Sequence, residues 1–214
     1  NNSQAENLID YVALQISKNS ISIDSFGATS VDEDANGYKL IAASKINHYF
    51  TAEYGLASLG VFKADYDITV GTFQFVESHE IDFSKSLFAA IKLHPDLSES
   101  NTENKTTYTF TDDTNIFLRL GILLWQANLK MDGYMYDSGS PFGPYGASSD
   151  DVGLSGFYGF GVEHKFSENF ILSLNWEEYL EVGKDAELTY LDGTQKKYSG
   201  RNIESIGLGI SYLF

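Results

Sequence analysis

Large apolar residues fall on alternate positions along most of the chain. In the last stretch, ESIGLGISYLF, they are Ile206, Leu208, Ile210, Tyr212 and Phe214, and the residues between them are mostly small. Successive side chains of a strand point to opposite faces, so a period of two reads as a strand with two unlike faces. Seven earlier segments repeat the pattern. YVALQIS places Val12, Leu14 and Ile16 on one face. YKLIAASKI opposes Tyr38, Leu40, Ala42 and Ile46 to Lys39, Ile41, Ala43 and Lys45. FTAEYGLASL opposes Phe50, Ala52, Tyr54 and Leu56 to Glu53, Gly55 and Ala57.

SLFAAIKLH sets Leu87, Ala89, Ile91 and Leu93 against Ser86, Phe88, Ala90 and Lys92. IFLRLGILLW sets Ile116, Leu118, Leu120, Ile122 and Leu124 against Arg119 and Gly121. FYGFGVEHKF sets Tyr158, Phe160, Val162 and Phe166 against Gly159, Gly161 and Glu163. FILSLNWEEYL sets Phe170, Leu172, Leu174 and Trp176 against Ser173, Asn175 and Glu177. No segment carries a convincing helical period.

The connections alternate in length. Short turns are expected around Asn47-His48 and at Ser167–Asn169, and long links at 19–37, 60–82, 128–154 and 183–202. Pro141 and Pro144 are placed in the third long link and Pro95 at the end of the fourth segment, clear of the strands, because proline cannot donate to a ladder. Asp192-Gly193 suits a type I′ hairpin turn.

The second face of these strands is unlike a soluble surface. It is rich in Gly, Ala and Ser, with one or two charges per strand, whereas the apolar face is bulky on every strand. The economical arrangement is inverted: the bulky face meets lipid and the small, polar face lines a narrow bore. Spanning a bilayer with strands requires a closed sheet, since an open edge leaves backbone groups unpaired in hydrocarbon. Eight strands close around a bore that side chains can fill. The reading is an all-β, eight-stranded antiparallel up-and-down transmembrane β-barrel, a single domain over 1–214 with long outer loops at one end and short turns at the other. The competing reading is a soluble, lipocalin-like barrel with the bulky face inside.

Composition narrows the function. Of 214 residues, 43% are hydrophobic and 14% aromatic, and there is no Cys, so the fold needs no disulfide. The formal charge of -16 argues against nucleic acid, which needs clustered Lys and Arg. No apolar run is long enough for a membrane helix. The chain opens on NNSQAENLID, without an initiator Met or an apolar leader, so an exported protein has already lost its signal.

Three stretches carry a family resemblance. NGYKLIAASKINHYFTAEYGLASLG (36–60), FTDDTNIFLRLGILLWQANLKMDG (110–133) and GFGVEHKFSENFILSLNWEEY (159–179) resemble the outer membrane protein A-like and opacity-type barrels. The terminal Phe214, with Tyr212 two residues before it, is similar to the signal read by the barrel-insertion machinery of Gram-negative bacteria. The resemblance implies a place in the Gram-negative outer membrane, contact with lipid bilayer and lipopolysaccharide, and no cofactor. It also implies a lumen pair between an Arg of the seventh strand and the Glu of the third; here the matching Arg position is Ser173, which puts that pair in doubt. The fourth connection departs as well. Residues 95–114 form an extended periplasmic turn, acidic through Asp96, Glu99, Glu103, Asp112 and Asp113 against Lys105, either a solvated excursion or a docking segment for a periplasmic partner.

Glu53, Lys92, Arg119 and Glu163 share inward parity on four consecutive strands. Charges in a narrow bore are costly unless paired, so one ion-pair network is expected across these strands, reaching Glu177. Phe50, Phe166 and Phe170, with Tyr212 and Phe214, would form an aromatic girdle at the short-turn end. Lys85 lands outward and either sits near the headgroups or marks a bulge. The first three outer loops are acidic, which suggests bridging by divalent cations or simple solvation; no spacing fits an EF-hand, and no metal site is assigned. His48, His79, His94 and His164 are isolated, with no acidic partner expected at the outer rim, so no enzyme is read. The role expected is structural or surface-interacting, with the lumen plugged by ion pairs. A narrow porin or ion channel, and a loop-mediated adhesin or receptor, are the alternatives.

Overall fold

The computed structural model describes residues 9–21, 28–47, 49–94, 113–190, 193–197 and 199–214. His48, Asp192 and residues 95–112, with most of the 95–114 turn and the acidic Asp24, lie outside the described residues. Twelve strands follow in chain order: β1 (Tyr11–Ile21), β2 (Ala28–Asp32), β3 (Asp34–Lys45), β4 (Phe50–Ser58), β5 (Val61–Val70), β6 (Phe73–Leu93), β7 (Thr114–Asp137), β8 (Ser140–Lys165), β9 (Phe170–Val182), β10 (Glu187–Tyr190), β11 (Gln195–Lys197) and β12 (Arg201–Leu213). There is no helix among the described residues.

Eight of the strands form a ring in the order β1, β3, β4, β6, β7, β8, β9, β12 and back to β1, every neighbour antiparallel. The last seam runs without a slip from Tyr11 opposite Leu213 to Ile21 opposite Ile203. Closure gives every strand of the ring a partner on both sides, as a membrane span demands. Bulky residues point outward: Leu120 is 67% exposed, Leu208 60% and Leu14 46%. The inward set includes Gln15, Lys39, Glu53, Ser86, Arg119 and Asn175, all buried. This placement excludes the lipocalin-like alternative, which would bury the bulky face.

The ends of the ring differ. The start of β1, the end of β12 and the turns after β3 and β8 share one end. At the other end β6, β7 and β8 run on for 21, 24 and 26 residues in all. At about 3.3 Å per residue, β7 alone is roughly 80 Å long, far more than a bilayer needs. The stretches read from sequence as long links are therefore built largely of strand. β5 pairs along the outer half of β6, β2 adds to β5, and β10 joins the outer part of β8 and pairs with β11. Here neither face meets lipid, so the alternation is of mixed polarity and the neighbouring ladder, not an apolar stripe, holds the strand.

Turn chemistry explains the tips. The β7–β8 hairpin turns through Ser138 (φ 50) and Gly139 (φ 81), the positive-φ pair of a type I′ turn. Gly193 also has positive φ (83) in the connection between the paired β10 and β11. The expectation that Pro141 and Pro144 avoid strands is corrected: both lie in β8, opposite Tyr136 and Tyr134. They are tolerated because β10 meets β8 only at Ala147 and Ser148, leaving the tip of β8 with one partner, and because the ladder slips beside them, between Met135 and Tyr136.

A bulge interrupts β6. Asp82 pairs with Asn128 and Lys85 with Gln126, so Phe83 and Ser84 oppose the single Ala127. Phe83 and Ser86 thus both point inward, and Lys85 points out. The outer half of the bore is consequently aromatic. Phe83 meets Trp125 edge-on with ring centres 6.3 Å apart, Phe88 meets Phe157 at 6.4 Å, and Phe157 meets Tyr179 at 5.0 Å.

Candidate functional site: the charged lumen

The bore carries a ladder of alternating charge. Parity sets it up: Lys39 on β3, Glu53 on β4, Lys92 on β6, Arg119 on β7, Glu163 on β8 and Glu177 on β9 all take inward positions and all are buried. Arg119 is the hub. Its Nε donates to Glu53 Oε2 at 2.6 Å, its Nη2 to Glu53 Oε1 at 3.1 Å, and its Nη1 to Glu177 Oε1 at 2.5 Å. The rigid fork of a guanidinium suits such a double role.

Each carboxylate sits between two basic groups. Glu177 is held by Arg119 and Lys39. Glu53 is held by Arg119 and, at 4.0 Å, by Lys92. Glu163 is held by Lys92 and by the His94 ring, whose Nδ1 is 3.3 Å from Oε1. Two phenols complete the bonding: Tyr11 donates to Glu53 Oε1 at 2.5 Å and Tyr179 to Glu177 Oε2 at 2.7 Å.

The cations also lean on rings. Lys39 Nζ lies 5.1, 4.9 and 5.2 Å from the ring centres of Phe88, Phe157 and Tyr179. Lys92 Nζ is 4.4 Å from the Phe117 ring, and Arg119 shares that ring at 5.1 Å. Such contacts are worth most where water is excluded. Glycines on β8 make the room: a Cβ on Gly159 would sit 2.7 Å from Glu177 Cγ, and one on Gly161 2.5 Å from the Phe117 ring.

The structure thus brings Glu53, Lys92, Arg119, Glu163 and Glu177 into one network. Arg119 of β7 occupies the place that Ser173 left open; Ser173 lies opposite Glu163 in the β8–β9 register. Sequence reasoning missed four members. Lys39 had inward parity on a strand bordering the charged set, and Tyr179 lies two residues beyond Glu177 on the same face. Tyr11 opens β1 on the inward side. His94 was taken as isolated because its partner is 69 residues away in sequence.

Of the aromatic positions, Phe166, Phe170, Tyr212 and Phe214 form a row across β8, β9 and β12, with successive ring centres 5.8, 5.3 and 5.4 Å apart. Phe50 lies at the same end but on β4, opposite Leu93. One expectation about the outer rim is corrected. His79 does have an acidic partner: its Nε2 is 2.8 Å from Glu77 Oε2, and Tyr145 donates to the other Glu77 oxygen at 2.5 Å. The two residues are i and i+2 on one strand, hence on one face, which the segment's reading as a loop concealed. Burial and the Glu77 carboxylate push the Tyr145 phenol above its ordinary range. Among the described residues no three His, Cys, Asp or Glu side chains come together as a metal site.

Comparison with solved structures finds outer-membrane and surface proteins at low identity. Neisserial surface protein A is 13% identical, with 95% of this chain and 96% of that one covered and a TM-score of 0.47. The attachment invasion locus protein Ail of Yersinia pestis is 12% identical over 96% and 99%, TM-score 0.44. OprG of Pseudomonas aeruginosa is 12% identical over 96% and 97%, TM-score 0.45. Nothing among curated proteins matches the chain. The profile of the OmpA-like transmembrane domain matches residues 11–214, and the chain belongs to that family, as an eight-stranded β-barrel of the Gram-negative outer membrane.

Proposed function

We propose that this barrel is a closed anchor whose work is done at the cell surface. The observation that carries the reading is the balance inside the bore. Three carboxylates (Glu53, Glu163, Glu177) face three cations (Lys39, Lys92, Arg119), all buried and all paired. A permeating ion would have to displace those pairs and then pass the Phe88, Phe157 and Tyr179 rings. Removing one partner of a buried pair costs several kcal/mol (about 3–5), too much for thermal opening on demand. Planar-bilayer recording tests it. The protein reconstituted at neutral pH is expected to be silent at all voltages. Stable, resolvable channels that change on Glu53→Ala would overturn the closed reading in favour of a narrow porin.

A second reading concerns the outer strands. β5 to β8 extend well past the apolar belt, which supports a role in adhesion or reception. Met131 and Ala147 are register partners, so removing 132–146 and rejoining them in a new turn shortens the β7–β8 hairpin while sparing the ring. Cell binding unchanged by that deletion would remove this reading. At the opposite end, Tyr212 and Phe214 would serve as the tag for barrel insertion and the aromatic row as the inner girdle.

A further inference from the structure

Past the membrane, the outward face of β5 to β8 is built of cross-strand rows. One row is Lys63, Glu80, Lys130 and Ser148, and the next one out is Asp65, Ser78, Asp132 and Gly146. Both are polar, or small at Gly146. The following row changes character: after Asp67 come Val76, Tyr134 and Pro144. Beyond it lie Thr69, Gln74 and Tyr136, polar again at their tips. Val76 is 41% exposed and Tyr134 54%, and Pro144 is exposed too. The result is a flat apolar strip, roughly 10 Å long over two strand spacings, with hydrogen-bonding side chains along both margins. Lipid does not account for it. Tyr134 lies eight residues beyond Gln126, where the outward positions of β7 turn polar, and that is roughly 26 Å of strand.

Tyr134 forms a ridge between two grooves. One, of about 360 Å³, runs toward β5 and is lined by Asp65, Asp67, Val76 and Ser78. The other, of about 400 Å³, runs toward β10 and is lined by Lys130, Pro144, Ser148 and Thr189. The margins are held in place. Asp67 accepts the Gln74 amide at 2.8 Å, Asp65 accepts the Ser30 hydroxyl at 2.9 Å, and Asp132 pairs with Lys130 at 3.0 Å. A carboxylate has about four acceptor positions, so each of the three keeps capacity for a further donor.

A ligand that suits this strip is apolar on its flat faces and bears hydroxyls around its rim. Pyranose sugars have that shape. Their C–H faces stack on an aromatic ring, whose π surface is negative, while the rim hydroxyls donate to carboxylates and accept from amide N–H groups. An anionic sugar would meet Asp65, Asp67 and Asp132, and the Lys130 beside them is already paired.

We infer that this face binds a neutral oligosaccharide laid across the strands, with one ring on Tyr134 and its neighbours in the two grooves. The inference rests on reading the extended strands as the part that works at the cell surface, and it names the class of ligand they hold.

The test is saturation-transfer NMR on the full chain in zwitterionic micelles, since detergents with sugar headgroups would compete. Cellotriose, maltotriose and triacetylchitotriose are the neutral probes, sialyllactose the acidic one and pentalysine the cationic one. At least one neutral probe should bind with Kd of about 1 mM or tighter, and sialyllactose at least tenfold more weakly. Tyr134→Ala should abolish neutral binding, whereas Tyr134→Phe, which keeps the stacking ring, should stay within about threefold of wild type. Phe142→Ala, at an exposed ring off the strip, should change nothing. Heat-modifiable migration on gels verifies that each variant is folded. Silence from all three neutral probes, or equal binding by wild type and Tyr134→Ala, overturns the site. Sialyllactose bound as well as the neutral sugars, or pentalysine bound in their place, overturns the ligand class. Cell binding separates this inference from the reading beneath it. If deletion of 132–146 abolishes cell binding and Tyr134→Ala does not, the sugar site fails and the surface role stands. If the sugars bind and the deletion leaves cell binding intact, the sugar site stands and the adhesive role fails.

Discussion

Arg119 on β7 and Glu53 on β4 meet across the bore in a two-pronged pair, at 2.6 and 3.1 Å, with both side chains almost fully buried. β6 stands between their strands in the ring, so neither ladder hydrogen bonding nor chain proximity makes the contact; only curvature of the closed sheet does. Arg119→Met should therefore cost roughly 3–5 kcal/mol, because it strands two carboxylates, Glu53 and Glu177, in the bore. Glu53→Gln should cost less, since Tyr11 still has an acceptor. Urea unfolding in micelles measures both, and a double-mutant cycle should show strong coupling. Additive effects of the two changes would contradict a direct pair.

Leu120 and Gly121 are neighbours with opposite fates. Leu120 faces lipid near the middle of the belt, so Leu120→Arg should destabilise by about 2–4 kcal/mol. Gly121→Arg should fail differently, by overpacking, since even a Cβ there would lie 2.5 Å from the Phe157 ring. A protein that folds with Leu120→Arg at no cost, and that stays soluble without detergent, would refute the inside-out arrangement.

Gly159 tests the seat of Glu177. Its missing Cβ would stand 2.4 Å from the Trp176 carbonyl oxygen and 2.7 Å from Glu177 Cγ. Gly159→Val should cost about 1–3 kcal/mol as an overpacked interior site. Gly156→Ala, in open space on the outer face, should be close to neutral. Equal effects of the two in a thermal melt would argue against a tightly filled bore.

Asp65 gives the outer sheet an acid sensitivity. Hydrogen bonds from Ser78 and from Ser30, the latter at 2.9 Å, hold its carboxylate below the ordinary aspartate range. A depressed carboxylate contributes stability that is complete above its unfolded pKa and is lost as pH falls through the folded value. β2, which is tied to β5 through Ser30, should thus loosen only in acid. Amide exchange of β2, corrected for its intrinsic pH dependence, should quicken below about pH 4, near the unperturbed aspartate pKa. Asp65→Asn should remove the acid dependence, and unchanged β2 protection down to strong acid would exclude the mechanism.

The terminal aromatic pair is expected to act in assembly. Deletion of Phe214 should lower the heat-modifiable, membrane-inserted fraction in cells. It should leave in vitro refolding into micelles nearly unchanged, because only the ring contact with Tyr212 and one terminal backbone hydrogen bond to Asp10 are lost. A matching defect in both measurements would make Phe214 a packing residue and not a signal.

How legible the barrel was differs from place to place. The eight ring strands, their inward and outward faces and the short-turn end follow from a period of two, since lipid on one side and a crowded bore on the other impose it residue by residue. Glu53, Lys92, Arg119, Glu163 and Glu177 share inward parity for the same reason, and parity is a local property. Beyond the belt that constraint disappears. Polar and apolar residues then mix on both faces, and 60–82 and 128–154 read as loops even though backbone ladders make them strands. The bulge at Phe83-Ser84 was visible only as a conflict of parity at Lys85.

The amino-acid order alone thus settled the architecture: which residues span, which side each one faces, and that charges would gather in the bore. It could not settle partners. That Arg119 grips Glu53 and Glu177, that Lys39 rests among three rings, and that His94 reaches Glu163 depend on how far the ring curves and how its strands stagger. Those quantities belong to the closed sheet as a whole, because the ion pairs join residues from strands that are not hydrogen-bonded neighbours.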